Sequence, residues 1–275
     1  MTPDVERGIV LFQAQQYDAS KTLLEKALGT TDKDATIHYY LCRVHFALDS
    51  YDKAIEHCKT AVQLQEDQPE YHFWLGRSYG ARATDADPIQ QAMLAPKIRK
   101  AFEKTIALDP THVPGRVGLA NFYLRAPVFM GGSLDKAHEQ VQILLRLDEI
   151  EGRLLLARFY EKTKQLAAAE AEYQMLQRHA GATEKHQAIY RHYGSFLLRH
   201  RRYDDAIQVF TEQVSLFPSQ AASYESLGDA YSAGKRWQEA VEAYRKALQL
   251  DPSARTATQK LPAAEKELTK LHGRH

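Results

Sequence analysis

The chain is poor in the residues that interrupt or staple a fold. Its 275 residues include only 14 glycines, 10 prolines and two cysteines. Two cysteines exclude a disulfide-rich scaffold and any all-cysteine zinc cluster. With so few breakers, and with apolar residues recurring at three- and four-residue steps instead of alternating, the pattern predicts an all-helical fold. No apolar run approaches the roughly 20 residues that cross a bilayer, and Met1 to Val10 has neither the basic nor the apolar region of a signal peptide. The expectation is a soluble, cytoplasmic protein without membrane insertion; a leader removed from a longer precursor would instead make it periplasmic or exported. An excess of one charge is also missing, since 36 Lys and Arg stand against 35 Asp and Glu for a net +1. No global field draws the chain to nucleic acid or an anionic membrane, so an electrostatic partner must be met by a local patch. Aromatics are the exception to this scarcity: they make up 10% of the chain, with 15 tyrosines, too many bulky packing groups for disorder or a coiled coil.

The tyrosines mark a repeat. Residues 221–254 place Tyr224 at repeat position 4, Leu227 and Gly228 at 7 and 8, Tyr231 at 11, Ala240 at 20, Tyr244 at 24, Ala247 at 27 and Pro252 at 32. This segment resembles a tetratricopeptide repeat, a unit of about 34 residues built from two antiparallel helices. Small residues at 8, 20 and 27 let the two helices approach, large ones at 4, 7, 11 and 24 fill the gap to the next unit, and the proline ends the second helix. The same frame gives seven copies at about 1–34, 35–68, 69–112, 113–149, 150–183, 187–220 and 221–254, and a helix over 255–275 covers the last apolar face. Twelve of the 15 tyrosines fall on positions 4, 7, 11, 17 or 24, which fixes the register. The implied architecture is all-α, a right-handed α-α superhelix of about seven helix-turn-helix repeats with a C-terminal capping helix. Pro262 predicts that this last stretch is kinked or split near Leu261.

Two copies depart from the pattern. The third carries ten extra residues, with Pro88 and Pro96 each placed to start a helical segment and residues 89–95 forming an extra turn or two. That insertion reads as a loop expansion, with a partner-contacting protrusion as the alternative. In the fourth copy FYLRAPVFMGGSLDKA separates the helices; it resembles a subgroup of bacterial tetratricopeptide proteins, many of them exported, that carry a Tyr-Leu-x-Ala-Pro…Gly-Gly-Ser loop. Gly131 and Gly132 are expected to supply positive backbone angles, and Ser133 or Asp135 to cap the next helix. No Lys-Ser/Thr follows the glycines as a nucleotide loop requires.

Chemistry is hard to find. The 12 histidines form no His-x-x-x-His or His-Glu-x-x-His pair, which excludes the familiar helical metal motifs. No nucleophile elbow, dinucleotide loop or carboxylate pair stands in a recognisable context. Neither an enzyme nor a cofactor is expected. Cys42 and Cys58 occupy positions 8 and 24 of one repeat; two buried free thiols are expected because small apolar residues are wanted there, with a bridge as the alternative favoured by export.

The informative face is the one presented by the first helices, where positions 2, 5, 9, 12 and 13 project together. Position 9 reads Ile9, Arg43, Arg77, Asn121, Arg158, Ser195 and Asp229; position 13 adds Arg125, Lys162 and Arg199; position 5 adds Tyr39, Phe73 and Arg191. This ladder of cations and one amide, with aromatics toward the N-terminal side, predicts capture of an extended or acidic peptide by Tyr39, Arg43, Phe73, Arg77, Asn121, Arg125, Arg158, Lys162 and Arg199. A solvated helix face is the bland alternative. Val5 and Ile9 replace the Lys and Asn of the family's chaperone-tail clamp, and with Asn121 alone at position 9 there is no asparagine ladder of the sugar-transferase type. The expected role is a scaffold or adaptor for a protein partner. The competing roles are an assembly protein that binds through its outer edge, its insertions or self-association, and a sensor of a small anionic ligand.

Overall fold

The computed structural model describes residues 2–29, 33–179, 181 and 183–272, and all regular structure among them is helical. Two compact units divide the chain, residues 1–155 and 156–275. The first contains α1 (Pro3–Gln13), α2 (Tyr17–Leu28), α3 (Ala35–Ala47), α4 (Tyr51–Leu64), α5 (Pro69–Thr84), α6 (Pro88–Leu108), α7 (Val113–Arg125) and α8 (Leu134–Leu147). The boundary falls within α9 (Glu149–Lys162), and the second unit continues through α10 (Leu166–Arg178), α11 (Glu184–Arg199), α12 (Tyr203–Leu216), α13 (Ala221–Ala233), α14 (Trp237–Leu250) and α15 (Arg255–His272). No helix is long and apolar enough to cross a membrane among the described residues.

In the first unit the hairpins α1/α2, α3/α4, α5/α6 and α7/α8 pack in sequence, and their first helices also touch, α1 on α3, α3 on α5 and α5 on α7. In the second, α11/α12 and α13/α14 do the same, α11 touches α13, and α15 packs on α14. In several hairpins one large side chain fills the space left by a glycine on the facing helix. A Cβ added to Gly76 would lie 2.9 Å from the Phe102 ring, one on Gly194 2.2 Å from Phe210, and one on Gly228 2.6 Å from Tyr244. These partners are all but fully buried, at 5% exposure or less, so the small positions are steric requirements.

The turns inside the hairpins share a device that the sequence pattern does not announce. Gln15, Asp49, Lys164, Arg201 and Lys235 all adopt positive φ, between 55° and 62°, and all occupy repeat position 15. The next residue's amide donates back to the carbonyl five residues earlier, as in Arg236 N to Tyr231 O (2.9 Å) and Ser50 N to His45 O (2.8 Å). This arrangement satisfies carbonyls orphaned at the helix end. None of the five residues is glycine, so nothing in their type flags the left-handed step.

The irregular copies differ from the expectations at several points. Pro96 does not start a helix; α6 begins at Pro88, capped by Asp87, whose carboxylate accepts from the amides of Ile89 and Gln90. Pro96 therefore sits inside a 21-residue helix, and the carbonyl of Ala92 that it leaves without a donor belongs to an exposed residue that water can serve. The insertion is absorbed by lengthening α6. Similarly, α15 is one helix with Pro262 inside it rather than two segments. In the loop before α8, Ser133 caps as expected, accepting from Lys136 N at 3.3 Å, but only Gly131 takes positive φ, 98°. Gly132 is required for space, because a Cβ there would stand 1.8 Å from the Ala126 carbonyl oxygen.

The expectation of two free thiols is also corrected. Cys42 and Cys58 form a disulfide with a Cα separation of 5.2 Å. They occupy the small and large positions of the closest helix approach in their repeat, so the packing that favours a small residue at position 8 also brings the sulfurs within bonding distance. Closing a 16-residue separation stabilises a fold by about 3 kcal/mol in the loop-entropy picture. Denaturant titration with and without a thiol reductant is expected to show a loss of that order in the first unit. Thiol labelling of the unreduced, unfolded chain should find no free sulfhydryl.

Candidate functional site

The helical register sets the site. On α3, Tyr39 and Arg43 are one turn apart; on α5, Phe73 and Arg77 repeat the arrangement, and contact between the two helices places the pairs side by side. The Arg43 guanidinium lies 4.5 Å from the Phe12 ring centre, 4.9 Å from Trp74, 5.2 Å from Tyr39 and 5.5 Å from Tyr40. Its Nη1 donates to the Tyr39 hydroxyl at 3.2 Å. Arg77 lies 4.4 Å from Trp74, 4.7 Å from Phe46 and 5.7 Å from Phe73. Trp74 thus serves both cations. Each contact with an aromatic face contributes about 0.5–2 kcal/mol, enough to hold the guanidinium groups in place but not to replace a counter-charge.

Among the described residues, neither arginine forms an ion pair. Nε of Arg43 is buried without a hydrogen-bond partner. Burial, and then the neighbouring charge of Arg43, pull the pKa of Arg77 below the ordinary arginine value, with Glu70 opposing them. Glu70 is engaged elsewhere, accepting from His112 Nε2 at 3.0 Å. The tautomer follows from the other ring nitrogen, because Nδ1 of His112 accepts from the Gly115 amide at 2.9 Å and caps α7. Tyr39 is kept neutral: burial pushes its hydroxyl up to about 12, although Arg43 acts in the opposite sense.

Beside Arg77 the wall opens into a cavity of about 500 Å³ bounded by α5, α6, α7 and the bend at Pro127 to Met130. Three predicted residues, Arg77, Asn121 and Arg125, line it together with Phe46, Phe102, Phe122 and Met130, and no Asp or Glu does. Oδ1 of Asn121 is buried and lacks a hydrogen-bond partner. Within the first unit, Tyr39, Arg43, Phe73, Arg77, Asn121 and Arg125 therefore belong to one wall.

The remaining predicted residues lie in the second unit, where cations find carboxylates. Arg199 donates to both oxygens of Glu161, at 2.8 and 2.7 Å, and His200 Nε2 approaches the same carboxylate at 3.2 Å. Burial works against ionisation of Glu161, but these partners hold its carboxyl below the usual range. Arg202, off the predicted ladder, is bound by Glu170 at 2.5 Å and Asp205 at 2.6 Å. Lys162 is exposed. The charge of Arg158 acts on His192. Sequence reasoning missed the aromatic walls. Phe12 and Phe46 both stand at position 12, one of the projecting positions, so reading that position across the copies would have found them; Trp74 stands at position 6 and gave no such signal.

Stacked helical hairpins that present a side-chain wall on their first helices define an α-helical repeat protein of the interaction-scaffold type. Tetratricopeptide repeat family models match residues 11–72 and 189–255, and over these segments the chain carries tetratricopeptide repeats. Among solved structures it is similar to a tetratricopeptide repeat protein of Parabacteroides merdae (TM-score 0.64, 11% identity, covering 95% of this chain and 97% of that one). It is also similar to a thermophilic one of Thermus thermophilus (TM-score 0.57, 24% identity, covering 71% and 97%). A human IFIT1 dimer with PPP-AAAA gives a TM-score of 0.56 at 20% identity over 90% of this chain and 54% of that one. At these identities the likeness is one of fold. No curated protein matches the sequence.

Proposed function

We propose that this protein is a non-enzymatic scaffold that captures an extended, acidic segment of a partner protein on the wall formed by α3, α5 and α7. The observation that carries this reading is the pair Arg43 and Arg77, two partly buried cations side by side, neither in an ion pair among the described residues, with Glu70 engaged by His112. Desolvating like charges is costly, and the aromatic contacts offset only part of that cost. An acidic side chain laid between them would supply the missing counter-charge, and Tyr39 and Phe73 would offer flat apolar contact to the same segment. The site narrows relative to the sequence ladder, because Arg199 already has its carboxylate.

The test is affinity purification on the wild-type protein and on R43E/R77E. Circular dichroism should show that the variant remains helical, whereas recovery of acidic partner proteins should fall at least tenfold. Equal recovery by the variant would defeat the reading. A second reading, binding through the insertions, is favoured by four apolar side chains at those sites: Ile89, Met93, Val128 and Phe129 are between 60% and 85% exposed. On that reading I89S/M93S and V128S/F129S, not R43E/R77E, would abolish partner recovery.

A further inference from the structure

One glycine stands apart from the packing logic of the fold. The other glycines within helices face a neighbour that leaves no room for a methyl: at Gly8, Gly76, Gly115, Gly118, Gly152, Gly194 and Gly228 an added Cβ would meet another atom at 2.9 Å or less. Gly80 lies inside α5, where glycine is disfavoured relative to alanine, yet a Cβ there would meet nothing within 4 Å. Neither a close helix approach nor a positive φ calls for it, since Gly131 is the glycine with positive φ among the described residues. Gly80 lines the cavity that Arg77, Asn121 and Arg125 also line. A helix that forgoes a stabilising side chain at this position leaves that cavity empty.

The cavity is chemically two-sided. Phe102, Phe122 and Met130 give it apolar walls, while Arg77 and Arg125 make it positive with no acidic residue among its lining. Asn121 adds a buried oxygen without a donor, suited to a backbone N–H of an extended chain. An occupant must therefore be apolar in the middle, anionic at its flank and able to offer an amide. We propose that the cavity takes one large apolar side chain of the bound segment, adjacent in that segment to the acidic residue held by Arg77, and that Gly80 keeps the space for it. The preferred partner motif is then an acidic residue next to Phe, Leu or Met in an extended stretch. This inference rests on the acidic-segment reading above and adds the requirement for an apolar anchor.

The experiment selects a phage-displayed library of random 12-residue peptides on three proteins: wild type, Gly80→Leu and Arg77→Glu. Gly80→Leu projects into the cavity from a position where a Cβ meets no neighbour within 4 Å, and it improves helix propensity, so its melting temperature should match or exceed that of the wild type. Should Gly80→Leu fold poorly, Gly80→Met provides the same test with a more adaptable side chain. Wild type is expected to enrich peptides that pair an acidic residue with a large apolar one. Gly80→Leu should retain the acidic preference and lose the apolar one, with at least tenfold weaker binding of the best wild-type peptide by fluorescence anisotropy. Arg77→Glu should lose the acidic preference. If wild type enriches acidic peptides with no apolar position, or Gly80→Leu binds the best peptide as tightly as wild type, the pocket assignment is overturned while the acidic-segment reading stands. Enrichment without acidic residues, or no enrichment at all, overturns both.

Discussion

Lowering the pH from 7.5 to 5 is expected to remove about 2–4 kcal/mol of stability, and two histidines account for most of it. His57 and His192 are each pushed down to about 4. For His57 the main cause is burial, followed by His38 and His45, the latter stacked on it with ring centres 5.4 Å apart; Lys53 on its own helix adds to the effect. His45 is itself lowered by burial, against the opposing charge of Glu25. For His192 burial again leads, followed by the positive charges of Arg158, Arg191 and Arg199. In the unfolded chain both return to about 6.5. Between 6.5 and 4 the unfolded state binds more protons than the folded one, so this stability is fully present above pH 6.5 and is lost as pH falls toward 4. At pH 5 the linkage amounts to about 2 kcal/mol for each group, and partial exposure trims it to about 1–2 kcal/mol. Urea unfolding at a series of pH values checks the slope. His57→Gln and His192→Gln should each flatten it, and a slope unchanged in both variants would show that other groups set the acid limit.

The second large effect concerns the close helix approach within each hairpin. Gly194→Leu is expected to cost more than 3 kcal/mol, because even a methyl there would sit 2.2 Å from the Phe210 ring, well inside the contact distance, and Phe210 is 2% exposed with little room to retreat. The smaller change Gly194→Ala should cost about 1–3 kcal/mol. Phe210→Leu alone removes buried volume and should also destabilise, by about 1–2 kcal/mol. Combined with Gly194→Ala it should be less harmful than the sum of the two, since the smaller side chain relieves the overlap. Equilibrium unfolding of the four proteins of this cycle measures the coupling. Strict additivity would mean that the two positions do not constrain one another.

The same small-and-large pairing explains why so much of the fold was legible. Gly228 with Tyr244 and Gly194 with Phe210 recur sixteen residues apart, and a period that strong fixes helices, hairpins and register together. The bond between Cys42 and Cys58 was half legible: the frame put both on one contact but could not choose between two thiols and a bridge. What escaped were features without a residue-type signal. The left-handed step at Lys235 and its counterparts carries no glycine, and Pro96 and Pro262 resemble helix starts although each sits inside a helix. For the site, the frame placed Arg43, Arg77 and Asn121 on one face because all stand at position 9. It could not tell that Arg199 would pair with Glu161 whereas Arg77 would be left among Trp74, Phe46 and Phe73, since charge compensation depends on contacts between repeats.

Trp74 offers the most direct test of the account, because its ring lies 4.9 Å from the Arg43 guanidinium and 4.4 Å from that of Arg77. With Trp237 replaced by phenylalanine, it becomes the sole tryptophan reporter. Titrating that protein with the best acidic peptide from the library should give a saturable change in Trp74 emission. The midpoint should match the affinity measured by anisotropy of the labelled peptide, and both signals should weaken at least tenfold in R43Q/R77Q. A peptide that binds by anisotropy with equal affinity to both proteins, and leaves Trp74 emission unchanged, would show that the two unpaired arginines are not where the partner is held.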